Sequence, residues 1–332
     1  MLRFGIAGFG RQAVKRLMPG FRLAHRCQVT ALSRRDLGQA QRSAAQFGIP
    51  FAFDSVEALC ASSEVDAVFV ASPDAMHCAD TLCGLRHGKA VLCEKPMAMN
   101  ADECRRMVAV SKETGKLLGV AHVFRFEESV AQARQILAGG ELGRIVHARL
   151  EFHYPASGHP RTWITDPKLA TGGPMADVGI HCIDTLRFIL RDEIGTVSTL
   201  AVTDEVSAPL ECASVMSLKF KSGALGTISV STRAAYRTPL EIVGTKATLR
   251  ADDFLSVECP VTLEVTATDG GRRQQVASNQ MAYAKQVDAF SSAVLDGTAF
   301  PSPGEEGLKN HLVLDAAYRS WRSGQKEAVE PI

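Results

Sequence analysis

The sequence predicts an α/β chain: an N-terminal doubly wound parallel sheet, then an α+β domain with a large open-faced, mostly antiparallel sheet. Three observations predict it. Up to about residue 121, short apolar runs alternate with helical stretches, the rhythm of βα units. Beyond that point the strands lengthen, alternate in polarity and join through short turns such as Lys221-Ser222-Gly223, as antiparallel hairpins do. Finally, 332 residues that are 46% hydrophobic and 22% charged suffice for two domains with ample core. The division expected is a Rossmann domain over 1–121 and an α+β domain over 122–332.

In order, the first domain's strands are read at Leu2–Ala7, Gln28–Leu32, Ala67–Ala71, Ala90–Cys93 and Leu117–Ala121, all short and apolar. Helices fall between them near 11–18, 37–47, 55–61, 76–87 and 101–114. A helix near 127–138 ends at Gly139-Gly140. Strands follow at Ile145–Tyr154, Ala213–Phe220, Ala224–Ser231, Leu240–Gly244, Ala247–Arg250 and Val261–Ala267. Helices near 174–190, 282–296 and 303–323 are expected to cover one face of that second sheet, leaving the other for water or a partner.

Bulk properties exclude several classes. A net charge of +1 without a basic stripe gives no reason to expect nucleic acid or an anionic membrane as partner. No apolar run approaches the ~20 residues that span a bilayer. The nine cysteines are odd in number, lack a C-x-x-C pair and lie mostly in apolar runs, the usage of buried thiols in a reducing compartment. With a strand opening the chain in place of a signal peptide, the location expected is cytoplasmic.

Gly8-Phe9-Gly10-Arg11-Gln12-Ala13 follows the first strand and opens a helix, the context in which a G-x-G-x-x-A loop binds a dinucleotide. Gly8 permits the tight turn, Gly10 lets the backbone approach a pyrophosphate, and the helix start supplies N–H groups and a positive dipole end. The second strand ends at Ser33-Arg34-Arg35-Asp36. An NAD enzyme usually offers a carboxylate there; Ser33 and Arg34 suit the 2′-phosphate of NADP instead, and Asp36 reads as the cap of the next helix. NADP is therefore expected, with NAD the alternative. Ser72-Pro73-Asp74 leaves the third apolar strand at the same sheet edge, with Ser72 and Pro73 placed on the nicotinamide side. His77 begins the next helix and either joins that site or caps the helix.

Val91-Leu92-Cys93-Glu94-Lys95-Pro96 sets a lysine where a buried strand meets its turn. Alone, Lys95 reads as a surface residue; at the carboxyl edge of a nucleotide-binding sheet it is placed to exchange a proton with a substrate oxygen. Gly172-Gly173-Pro174-Met175-Ala176-Asp177 opens a second informative helix, with Asp177, His181 and Asp184 at i, i+4 and i+7 on one face of a largely apolar segment. Asp177 can orient His181 or hold a hydroxyl, and His181 titrates in the range useful for proton transfer. Asp177, His181, His153 and His159 offer the donors of a mixed metal site, but their spacing is loose and no metal is expected.

These motifs, with Glu141-Leu142-Gly143-Arg144-Ile145 and Gly244-Thr245, resemble the glucose–fructose oxidoreductase / inositol dehydrogenase / rhizopine catabolism (Gfo/Idh/MocA) family over essentially the whole chain. The resemblance implies an NAD(P)-dependent oxidoreductase acting on a sugar, cyclitol or related polyol. It makes Lys95 the catalytic lysine, with Asp177 and His181 flanking the reacting oxygen and Glu94 touching the cofactor or positioning the turn. Arg125, His153, Tyr154 and Trp163 are then candidate lining of a substrate cleft between the domains. A homodimer or homotetramer through the open sheet face is also implied. One departure is Asp74, where the family often has Asn; its carboxylate can bind ribose hydroxyls but repels phosphate. The alternatives are a glycoside hydrolase that oxidises its substrate transiently and a non-catalytic nucleotide-binding regulator.

Overall fold

The computed structural model describes residues 1–156, 162–257 and 259–332, which form two compact units. The first gathers Met1–Val123, Lys168–Thr171 and Tyr283–Leu308, and the second Phe124–Pro167, Gly172–Ala282 and Lys309–Ile332. The chain thus returns twice to the first unit, which one boundary after residue 121 does not capture.

The first unit holds β1 (Leu2–Ala7), β2 (Cys27–Ser33), β3 (Phe51–Phe53), β4 (Ala67–Val70), β5 (Ala90–Cys93) and β6 (Leu118–Val120). They form one sheet in the order β3-β2-β1-β4-β5-β6, parallel throughout. The order reverses direction between β1 and β4, so Ala7, Ser33, Val70 and Cys93 end at one edge around the crevice where such sheets bind ligands. Polar side chains start the helices: Asp36 accepts from Gln39 N at 2.6 Å and Asn100 from Glu103 N at 3.0 Å.

The core of this unit corrects one expectation. The sequence places the helix over 282–296 on the second sheet, yet the Phe290 ring of helix Ala282–Asp296 lies 5.9 Å from Phe4 and 5.3 Å from Phe300. Phe4 also meets Phe21 edge-on at 5.1 Å. A continuous aromatic cluster outweighs sequence proximity in deciding where a helix packs.

The second unit contains β7 (Ile145–His153), β8 (Ile194–Val202), β9 (Ala213–Phe220), β10 (Leu225–Ser231), β11 (Leu240–Gly244), β12 (Ala247–Ala251), β13 (Pro260–Ala267), β14 (Arg272–Ser278) and β15 (Glu327–Ala328). Their order is β14-β13-β12-β11-β7-β10-β9-β8-β15. Neighbours run antiparallel except β7 and β10, which are parallel. Alternation gives the sheet two characters: Met216, Leu218 and Phe220 of β9 are buried, whereas Val215 is 44% exposed and Leu200 of β8, its register partner, 80%. The helix expected near 174–190 begins with a π-helical turn, Met175–Gly179, before regular α-helix over Ile180–Leu190.

Candidate active site

In the first unit the site is built on the carboxyl edge of the sheet. Gly8 has φ +79°, and a Cβ there would lie 2.6 Å from the Ser72 backbone, so a glycine is required where the loop after β1 passes the loop after β4. A Cβ on Gly10 would have only the Gly8 carbonyl oxygen within 4 Å, at 3.8 Å, leaving open the backbone approach that a pyrophosphate needs. The Phe9 side chain faces the core, 1% exposed and 5.4 Å from the Phe47 ring, so only its backbone can serve a ligand. Arg11 is exposed at the helix start. At the end of β2, Ser33 is buried and Arg34 donates to Ser43 Oγ at 3.0 Å. Asp36 is engaged as the helix cap, so residues 33–36 present no uncommitted carboxylate to a ribose.

Hydrogen bonds lock the loops around Lys95 together. Gln12, from the glycine loop, donates to Glu94 Oε1 at 2.9 Å, and Lys95 N lies 3.2 Å from Glu94 Oε2. Glu94 is buried, and burial raises its pKa above the usual carboxylate value against the pull of Gln12 and Lys95. It positions the turn beneath a half-buried Lys95.

His77 is 1% exposed, with Nδ1 2.7 Å from Pro96 O and Nε2 2.8 Å from Ser72 O. Two carbonyl acceptors need two N–H donors, which only the protonated ring supplies. Burial opposes that charge, but Cys93, Asp74 and the Pro96 carbonyl outweigh it and push the pKa up to about 10. His77 therefore ties the Ser72-Pro73 loop to the Lys95-Pro96 loop. Ser72 donates to Asp80 at 2.6 Å. Asp74 accepts from Thr171 N at 3.0 Å and is 6% exposed, so its carboxylate anchors segment 168–171.

The second unit carries a pocket lined by Tyr154, Ile164, Thr165, Asp177, Thr232 and Arg233, with Gly172 and Gly173 forming one wall. Tyr154 donates to Asp177 Oδ2 at 2.5 Å, uniting two residues singled out from sequence. Arg233 pairs with Asp204 at 2.5 Å and holds that carboxyl well below its ordinary range. His181 lies on the same helix as Asp177, buried and edge-on to Phe124 at 4.5 Å.

Sequence reasoning missed Glu211. Its carboxylate accepts from Gly173 N at 3.1 Å, Met175 N at 2.9 Å and Tyr318 Oη at 3.0 Å, capping the helix that bears Asp177. Burial raises its pKa, against the pull of those donors. The Gly-Gly pair was the available signal: a Cβ on Gly173 would lie 1.9 Å from the Glu211 carbonyl oxygen.

Other candidates are placed elsewhere. Arg125, 7% exposed, donates to Asp184 from Nε at 2.9 Å and Nη2 at 2.6 Å, and Asn310 joins Asp184 at 2.7 Å. Arg125 and Asp184 thus form a buried ion pair within the second unit. The π-helical turn adds a residue before His181, so Asp177 does not keep the i, i+4 alignment of a regular helix.

His153 follows Phe152, whose ring lies 6.3 Å from His181, so strand alternation sends His153 to the opposite sheet face. There it sits 3.3 Å from Glu151, its pKa lowered by burial and by Arg237 and Arg149. The metal grouping weighed from sequence is therefore split, and His159 lies outside the described residues. Trp163 is half-buried in a single helical turn, Thr162–Thr165.

Comparison with known proteins places this architecture. A family model described as an oxidoreductase family with an NAD-binding Rossmann fold matches residues 2–122, and the GFO/IDH/MocA C-terminal domain matches residues 130–250. The chain belongs to the Gfo/Idh/MocA family. It is an NAD(P)-dependent oxidoreductase. Within the family it is 30% identical over 298 residues to 1,5-anhydro-D-fructose reductase of Ensifer adhaerens, covering 88% of this chain and 89% of that protein. It is 28% identical over 324 residues to D-xylose 1-dehydrogenase (NADP(+)) 2 of Haloferax volcanii, covering 97% and 98%. The crystal structure of aldose-aldose oxidoreductase from Caulobacter crescentus, complexed with glycerol, matches with a TM-score of 0.91 at 25% identity over 98% of this chain and 99% of that one. Among the described residues no helix is long and apolar enough to cross a membrane.

Proposed function

We propose that the chain transfers a hydride between NADP and a carbon bearing a hydroxyl or carbonyl in a sugar, cyclitol or related polyol. Lys95 is the proton-handling group. The observation that carries this reading is the Lys95 loop, fixed by Glu94 below and tied through Pro96 to His77. When bound, the nicotinamide accepts or returns the hydride. Lys95 takes the hydroxyl proton during oxidation and gives it back during reduction, a step of the kind that contributes about 10²–10⁴-fold. Asp177, held by Tyr154, binds and orients a substrate hydroxyl, and His181 of the same helix assists as acid/base partner. Tyr154, Asp177, Thr232 and Arg233 set a few polar groups in an otherwise mostly apolar pocket, enough to orient a polyhydroxylated ligand.

Support for NADP comes from the end of β2, where Ser33, Arg34 and the exposed Arg35 precede an aspartate committed to capping. The Haloferax relative carries NADP(+) in its name. The nine cysteines, none of them in a disulfide, suit a reducing, cytoplasmic setting. The substrate-side residues and the open sheet are assigned to the segment after residue 121.

A spectrophotometric panel of polyols and keto-sugars with both cofactors tests the assignment. Expected is turnover favouring NADP(H) by at least about tenfold in kcat/KM, a difference of about 1.4 kcal/mol, and a fall of about 10²-fold or more in Lys95→Ala. Intact turnover in Lys95→Ala overturns the role of Lys95. Release of an aglycone from a chromogenic glycoside without net cofactor reduction overturns the dehydrogenase reading.

We further propose a homodimer or homotetramer through the open face of the second sheet, where Leu200 is 80% exposed. Light scattering should show Leu200→Asp shifted to smaller species; an unchanged mass rules that face out.

A further inference from the structure

Away from the nucleotide edge of the first unit, two helices bring together side chains that the reaction does not use. Helix Val56–Ala61 contributes Glu57 and Cys60; Cys83 lies in helix Asp74–Arg86, and His87 caps its end. Glu57 Oε2 lies 3.1 Å from Cys83 Sγ, and Glu57 Oε1 lies 3.1 Å from His87 Nε2. His87 Nδ1 is 3.8 Å from the same sulfur. One ligand atom from each of Glu57, Cys83 and His87 lies within 4.8 Å of the other two. The buried Cys60 thiol is a hydrogen-bond partner of Cys83.

We propose that Glu57, Cys83 and His87, backed by Cys60, bind a divalent transition metal of the zinc or cobalt type. Three features support this. A thiolate, imidazole and carboxylate set is the donor chemistry of zinc, whereas magnesium and calcium select oxygen ligands. Bond lengths of about 2.0–2.3 Å place tetrahedral ligand atoms roughly 3.3–3.8 Å apart, and the Glu57 carboxylate oxygens lie 3.1 Å from Cys83 Sγ and from His87 Nε2, within reach of that spacing.

The third feature is the imidazole's orientation. His87 Nδ1 lies 2.9 Å from the Cys83 carbonyl oxygen, the backbone bond that fixes the tautomer of metal-ligating histidines. With Nδ1–H donating there, the Nε2 lone pair faces a carboxylate oxygen 3.1 Å away. A metal ion held there would take the place of the proton that otherwise joins the His87–Glu57 pair. The Glu57 side chain is 71% exposed and that of His87 31%, giving an ion a path from solvent. Bound metal would staple the two helices together at the end remote from His77.

The test uses the full-length protein, stripped with chelator under reducing conditions and titrated with cobalt(II) chloride alone. Expected is one equivalent per chain with a thiolate-to-cobalt charge-transfer band, displaced by zinc(II). Cys83→Ser should abolish the band, and Glu57→Ala, at an exposed side chain whose loss leaves folding intact, should weaken cobalt binding about tenfold or more. Lys95→Ala should keep the band, so this result is independent of the proposed reaction. Absence of the band in the parent protein, or its survival in Cys83→Ser, overturns the proposal. So does a Cys60–Cys83 disulfide that forms quantitatively in air in a protein showing no cobalt band after reduction, which would make the pair a redox couple.

Discussion

Two helices of this chain start behind glycine pairs and open with a π-helical turn, and they use that start in opposite ways. After Gly8 and Gly10 the turn is Ala13–Leu17, and the space beside Gly10 is open. After Gly172 and Gly173 the turn is Met175–Gly179, and the backbone amides at its head are taken by Glu211. A helix start is an anion site in both cases. The first stays open, as a ligand's phosphates would require; the second is filled by the protein's own carboxylate, which fixes the start of the helix bearing Asp177. A glycine pair before a helix therefore signals close approach, and the three-dimensional surroundings decide what approaches.

Substituting the glycines should break that comparison most sharply. In Gly173→Ala the new Cβ would lie 1.9 Å from a backbone oxygen, and we expect loss of about 3 kcal/mol or more of stability in denaturant unfolding. Gly10→Ala meets nothing closer than 3.8 Å, so stability should stay within about 1 kcal/mol of the parent while cofactor affinity falls about tenfold or more. Unchanged cofactor affinity in Gly10→Ala would remove the pyrophosphate from that helix start.

Next in size is Glu211→Ala, which removes the acceptor of the buried Met175 amide, the part-buried Gly173 amide and the Tyr318 hydroxyl proton. A loss of about 2–4 kcal/mol is expected, with a KM increase for substrate as Asp177 loses its fixed position. Stability within experimental error of the parent would show that Glu211 does not cap this helix.

The last prediction concerns His77 and is read against pH. Its folded pKa, about 10, lies above the ordinary 6.5, so its charged form adds stability that is fully present below about pH 6.5 and fades as pH rises towards 10. His77→Gln, which cannot carry the charge, should lose least relative to the parent at the alkaline end. A stability difference that stays constant from pH 6.5 to 10 would mean the ring is neutral.

What was legible in the sequence was local. The parallel strands announced themselves as short apolar runs, and the residues of the glycine loop, of Glu94-Lys95-Pro96 and of Asp177 are contiguous with the turns that place them. Strand Arg272–Ser278 stayed hidden because its first four residues are charged or amide side chains, tolerable at a sheet edge where only β13 pairs with it. The strand Phe51–Phe53 is too short to show a period. Glu211 bonds partners 38 and 107 positions away, and Arg125 finds Asp184 across 59, separations at which no spacing rule operates. The same distance effect turned Arg125 from a candidate ligand into half of an internal ion pair.

The bridge made by His77 has a consequence for anyone who redesigns this enzyme. Two loops that share one cationic crosslink are inherited as a pair: a graft of Ser72-Pro73-Asp74 from a relative brings its own backbone path, and with it a new position for the carbonyl opposite Pro96. The tip of β2 shares no such bond with His77. Under the proposed reading, cofactor choice should therefore yield to point changes at Ser33 and Arg34, whereas the Ser72-Pro73 and Lys95-Pro96 loops can be exchanged only as a unit.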